Sequence, residues 1–290
     1  MEIRTNSKRA WLLAARPKTL TGAAVPVFVA LCAAWHDAPS SFRWLPALLC
    51  LFFALLMQVD ANLVNDYFDC VRGVDNEERL GPERACTQGW ITLPAMRRGI
   101  VLTTLLSCAV GLPLVVWGGW QMVGVGAACV VFCFLYTTLL SRHALGDVLV
   151  LVFFGLVPVC ATYYIQTHAL TREVVLLAVA SGLAIDCLLV VNNYRDRDSD
   201  AHVSKVTLVT LLGPRLTEML YLVLGLAAAA LTLPGLGWRA VGLLPYLALH
   251  LANWHRMCRI HEGRALNAVL GTTSLAILVF GLSVSTLLLA

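Results

Sequence analysis

The stretch NLVNDYFDCVRGVD, residues 62–75, sets Asn62, Asn65, Asp66, Asp69 and Asp75 directly after the apolar run LPALLCLFFALLM. An apolar run ending in carboxylates and amides reads as a helix leaving a membrane, because ionisable groups inside hydrocarbon are costly and are kept for function. On a helix, separations of four and three residues return to the same face, so Asn62, Asp66 and Asp69 form one polar stripe about 60° wide. Asp60 falls nearly opposite that stripe and calls for a partner of its own inside the bundle. A second stretch, VNNYRDRDSDAHVSK at residues 191–205, follows another apolar run and carries Asn192, Asn193, Asp196, Asp198 and Asp200. Asp196 and Asp200 are four apart and share a helix face, while Asp198 points away. Asp186 lies near the same face, roughly 15 Å deeper.

Composition sets the class. The 290 residues are 59% hydrophobic and only 13% charged, against about 25% charged in a soluble domain. Apolar runs of membrane-spanning length fall near residues 20–35, 44–65, 99–117, 120–140, 145–165, 174–194, 216–235, 238–255 and 266–288. They predict an all-α polytopic membrane bundle of nine transmembrane helices, since a spanning segment must satisfy its own backbone. With the N-terminus cytoplasmic, 18 of the 21 Lys and Arg fall on the cytoplasmic side, leaving Arg43, Arg172 and Arg239 opposite. The net charge of +4 is therefore a topology signal and not a nucleic-acid footprint. The same asymmetry puts both acidic stretches on the cytoplasmic face. The ten cysteines form no CxxC pair and read as small packing residues. At the start, RPK at 16–18 interrupts before the first apolar run, which predicts a retained helix over a cleaved signal.

Two carboxylate groups facing each other across a bundle repel unless a cation lies between them. Oxygen-only donors suit Mg²⁺, which takes one or two carboxylates, water and the oxygens of a phosphate. Arg72, Arg84, Arg195 and Lys205 bring positive charge to the same place, and Arg16 and Lys18 approach it from the basic segment KRAWLLAARPKTL. A phosphate or diphosphate ester with a lipid chain is the ligand these features predict. The loop VRGVDNEERLGPERACTQGWITLPAMRRG, which continues the first acidic stretch, is long enough to act as a lid. A transporter would instead need acids along a path through the membrane, and here they gather at one face.

NDYFDCVRGVD, GPERACTQGWIT, LGDVLVLVFFG and NNYRDRDSDAHVSKVTL, with RPKTL near the start, resemble the UbiA superfamily of membrane prenyltransferases. The resemblance runs from about residue 11 into the last span. Gly73 with Asp75, GPxR at 81–84 and NNxRD at 192–196 are most similar to the branch that prenylates 1,4-dihydroxy-2-naphthoate on the way to menaquinone. It implies a single prenyltransferase domain over residues 1–290, with nine helices around a central cavity in a bacterial cytoplasmic membrane. It further implies Mg²⁺ held by Asp66, Asp69, Asp196 and Asp200 with help from Asp75. Arg72, Arg84, Arg195, Lys205, Arg16 and Lys18 would bind the diphosphate. Asn62, Asn65, Asn192 and Asn193 join the substrate-binding set, and the rings of Tyr67, Tyr136 or Tyr194 would face an allylic cation. The implied partners are a polyprenyl diphosphate and an aromatic acceptor, with 4-hydroxybenzoate and homogentisate as alternatives to the naphthoate.

Overall fold

The computed structural model describes residues 3–73, 80–138, 143–202 and 205–290. Among them the chain is helical, apart from an isolated bridge between His143 and Val206. Helix α1 (Lys8–Ala15) starts where the Ser7 hydroxyl accepts the Ala10 N–H, and it stops at Arg16, whose left-handed φ of 50° precedes Pro17. After it come α2 (Leu20–Asp37), α3 (Trp44–Val71) and α4 (Leu93–Gly111), the last continued through a 3₁₀ turn into α5 (Val115–Gly118). Then follow α6 (Gln121–Thr138), α7 (Gly146–Val150), a π-helical segment Leu151–Leu156 and α8 (Val157–Thr167). The chain ends with α9 (Arg172–His202), α10 (Leu208–Ala230), α11 (Leu233–Leu236), α12 (Leu244–Ile260) and α13 (Leu266–Leu289).

Seven helical stretches of the described residues are long and apolar enough to cross a membrane, and the chain is an integral membrane protein. One of the seven, Leu208–Ile260, contains both α10 and α12, and Gln121–Thr137 is a further, shorter apolar helix. Boundaries moved where the backbone dictated. The eighth run begins its α-helix at Leu244, because Gly237–Leu243 winds as 3₁₀ helix. The third begins at Leu93, with Pro94 in the first turn, where a missing N–H costs nothing.

Two helices matter most for position. At 28 and 31 residues, α3 and α9 exceed the ~20 that cross the hydrocarbon, so each carries its acidic stretch on a projecting end. Helix α3 packs on α4, α9 on α10, and α2 on α13. The π-helical segment meets α9 at backbone distance: a Cβ on Gly155 would lie 2.6 Å from the Ala178 carbonyl, so no side chain fits there. Outward faces are apolar, as at Leu102, Val116 and Trp238, which are 68%, 78% and 84% exposed and meet lipid.

Candidate active site

The single polar stripe predicted on α3 divides among three different tasks. Asp66 is 1% exposed. Its two carboxylate oxygens accept the backbone N–H groups of Ala85 and Cys86 at 2.9 and 3.0 Å. An ionised acceptor makes both bonds strong, so Asp66 folds the loop after α3 against the helix end. Burial, and then the adjoining Asp66 charge, push the Cys86 thiol up from its ordinary range and keep it protonated. Asp69 accepts from Arg84 Nη2 at 2.9 Å, again reaching across to the loop. Asn62 faces away from the acids: its Nδ2 donates to the Ala15 carbonyl and the Thr19 hydroxyl, both at 2.9 Å. It pins the α1–α2 junction that carries Arg16 and Lys18. Asn65 accepts from the Thr137 hydroxyl, and Arg72 donates to the Thr137 carbonyl at 2.9 Å, so both tie α3 to α6. Asp60 has the private partner its phase demanded, the Thr104 hydroxyl at 2.7 Å. Asp75 lies outside the described residues.

The α9 stretch is organised from within. Arg195 Nε and Nη2 grip the two oxygens of Asp196 at 2.8 and 2.6 Å. The same guanidinium donates to Asn192 Oδ1 at 2.9 Å and to Asn267 Oδ1 at 2.8 Å. Its side chain is 0% exposed. Arg195 is thus a buried organiser of Asp196. Asp200 accepts from Lys205 Nζ at 3.0 Å, and the Lys205 N–H returns to the Asp200 carbonyl at 2.9 Å, so the chain does fold back over the acid. Asn193 is buried and lines a cavity of about 20 Å³ with Tyr136, Gly146, Asp147, Lys205 and Thr207, room for about one water. Asp198 points outward, 73% exposed. Tyr194 also turns away from the acids: its hydroxyl donates to Glu218 at 2.6 Å and meets His261 Nδ1 at 3.0 Å, with the Arg197 guanidinium 4.6 Å over its ring. It packs between α9, α10 and the end of α12.

Tyr136 lies beside the second stretch, on the small cavity it shares with Asp147, Asn193 and Lys205. Below the acids, Asp147 Oδ1 and Asp186 Oδ1 are buried without a hydrogen-bond partner among the described residues. Tyr67 takes a different position, at a groove of about 590 Å³ along α4 lined by Arg97, Arg98, Val101, Leu102 and Leu105.

Acidic stretches at the ends of two long helices of a membrane bundle have a counterpart among known proteins. The family model described as the UbiA prenyltransferase family matches residues 23–276. The chain belongs to the UbiA prenyltransferase family. It is 36% identical over 283 residues to the 1,4-dihydroxy-2-naphthoate octaprenyltransferase of Mycobacterium tuberculosis, covering 95% of each chain. It is 39% identical over 214 residues to the enzyme of that name from Escherichia coli K12, covering 71% of this chain and 69% of that one. Its fold matches that of a UbiA homolog from Archaeoglobus fulgidus bound to GPP and Mg²⁺, with a TM-score of 0.65 at 15% identity over 96% of this chain and 99% of that one.

The donor set can be tested against the metal that a UbiA fold implies. Among the described residues no three His, Cys, Asp or Glu side chains gather into a self-contained metal cluster. Mg²⁺ seldom occupies an all-protein cage and binds one or two carboxylates with water and substrate phosphate oxygens, so the test falls on the single donors. Asp69, Asp196 and Asp200 offer hard oxygens at side-chain exposures of 24%, 20% and 11%, whereas buried Asp66 serves the loop. Sequence reasoning assigned no role to Thr137, Asp147 or Asn267. Asn267 carried a readable signal, an amide at the head of a helix, α13, that has no charged residue.

Proposed function

We propose that this UbiA-family enzyme transfers a polyprenyl group from its diphosphate to 1,4-dihydroxy-2-naphthoate, releasing CO₂ and diphosphate and yielding the 1,4-dihydroxy (quinol) form of demethylmenaquinone. The observation that carries the reading is that Asp69 and Asp200, on two different helices, are each already paired to a base, Arg84 and Lys205. The relatives bearing the naphthoate enzyme's name over most of their length support the acceptor. In this account the chain crosses a bacterial cytoplasmic membrane nine times, counting α6, α10 and α12 as separate spans, with the site at the cytoplasmic face.

Asp69, Asp196 and Asp200 would hold Mg²⁺. When bound, the ion neutralises charge on the diphosphate and makes it a better leaving group. Arg84 and Lys205 exchange their carboxylate partners for diphosphate oxygens, and Arg72, Arg16 and Lys18 add positive charge at the rim. The allylic C–O bond breaks with its electron pair leaving on the diphosphate. The surrounding apolar helices keep water from the cation, and the Tyr136 ring presents a π face to it. The ring carbon that bears the acceptor's carboxylate attacks, forming the new C–C bond. Loss of CO₂ then returns the C–CO₂⁻ electron pair to the ring, so electrons balance without a protein base.

Purified enzyme in lipid vesicles, given Mg²⁺, a polyprenyl diphosphate and each acceptor in turn, tests this reading. Turnover with the naphthoate, lost by at least about 100-fold in Asp69→Asn and Asp196→Asn, is expected. Turnover with 4-hydroxybenzoate or homogentisate alone would overturn the acceptor, and near-normal transfer in both variants would overturn the site.

A further inference from the structure

Helix α13 has no charged residue, and its second position holds Asn267. That side chain touches both halves of the site. Its Oδ1 accepts from Arg195 Nη1 at 2.8 Å, and its Nδ2 donates to the Leu80 carbonyl at 2.8 Å. A guanidinium only donates and a backbone carbonyl only accepts, so the position between them needs one acceptor and one donor at the end of a short stem, which is what an asparagine amide offers. The two bonds also fix the orientation of the amide, since the flipped amide would oppose donor to donor and acceptor to acceptor.

What hangs on each bond gives the contact its meaning. On one side, Arg195 aims the Asp196 carboxylate through two bonds. On the other, Leu80 leads into the loop whose Arg84 grips Asp69 and whose Ala85 and Cys86 amides grip Asp66. The α3 stretch reaches the loop and the α9 stretch reaches Arg195, and Asn267 joins the two.

We infer that Asn267 is a positioning residue that keys the loop of the first acidic stretch to the Arg195–Asp196 pair of the second, so that the diphosphate meets both in register. The inference rests on the diphosphate-binding reading given above. Two substitutions separate its two bonds. Asn267→Asp keeps the acceptor for Arg195 but loses the donor to Leu80, while Asn267→Ala loses both.

The test is calorimetric titration of the full-length protein with geranyl diphosphate at fixed Mg²⁺, then with Mg²⁺ at fixed geranyl diphosphate, alongside trypsin cleavage after Arg84. Asn267→Asp is expected to weaken diphosphate binding about tenfold and to speed cleavage after Arg84, with little change in the Mg²⁺ half-saturation. Asn267→Ala is expected to add a rise of about tenfold in that half-saturation. A merely structural role would lower thermal stability in both variants and leave both affinities unchanged, and this result overturns the inference. If Asn267→Ala does not fold, Asn267→Asp alone decides through its diphosphate affinity and loop cleavage. A wild-type protein that binds no geranyl diphosphate overturns the site reading and this inference with it. Wild-type binding matched by the variants overturns the inference alone.

Discussion

The acidic stretches of α3 and α9 look alike in sequence and are built by opposite means. On α3 the carboxylates reach outward: Asp66 and Asp69 bind Ala85, Cys86 and Arg84, 15 to 20 residues further along the chain. On α9 they are held by near neighbours, Asp196 by Arg195 and Asp200 by Lys205. The first stretch therefore organises a loop, and the second is largely preformed by its own helix and the turn after it. A site of this kind divides labour. One half is rigid enough to aim carboxylates, and the other depends on a loop that must dock before its charges are in place.

Substitutions can break or sharpen this contrast. The largest effect is expected from Arg195→Met, which strips a buried guanidinium from Asp196, Asn192 and Asn267 together. A loss of about 3 kcal/mol follows from breaking such a buried pair, read as a clear fall in the thermal midpoint in detergent along with loss of transfer. Next comes Asp66→Asn, which can no longer accept both loop amides and leaves one buried donor unpaired. It should cost about 2 kcal/mol and bring fast trypsin cleavage after Arg84, a site the folded loop buries. If Asp66→Asn leaves that cleavage slow, the loop-organising role of the first stretch is wrong. Lys205→Met should be milder, about 1 kcal/mol, because both partners are partly exposed, at 24% and 11%; its signature is roughly tenfold weaker diphosphate binding. Equal losses in Arg195→Met and Lys205→Met would erase the hierarchy within the second stretch. The smallest effect on chemistry belongs to Tyr194→Phe. It removes the bond to Glu218 and costs about 1 kcal/mol of stability, yet initial-rate assays should find transfer within about twofold of the parent enzyme.

How far the sequence could be read follows from which contacts are local. Helices and their polar ends were legible because hydropathy and helical phase act over a few residues. Phase alone put Asp60 opposite Asp66, and Asp198 away from Asp196 and Asp200; the Thr104 contact and the 73% exposure of Asp198 agree. Phase could not reveal partners supplied from elsewhere in the chain. Asn62 looks like a member of the acidic stripe until the α1–α2 junction is seen against it. Arg195 reads as an anion-binding cation until Asn267, 72 residues away, completes its enclosure. Tyr194 and Tyr136 are indistinguishable as aromatic residues at polar helix ends, and only the packing of α10 and α12 ties one to Glu218 while the other lines the cavity with Asp147 and Lys205.

The central claim is that two stretches 130 positions apart, at Asp66 and Asp196, act on one Mg²⁺–diphosphate group. The most direct test is a double-mutant cycle on Asp69→Asn and Asp196→Asn, measuring geranyl diphosphate affinity with and without Mg²⁺. The account predicts a coupling of about 1–2 kcal/mol with Mg²⁺ that vanishes without it. Additive losses within about 0.3 kcal/mol in both conditions would contradict it.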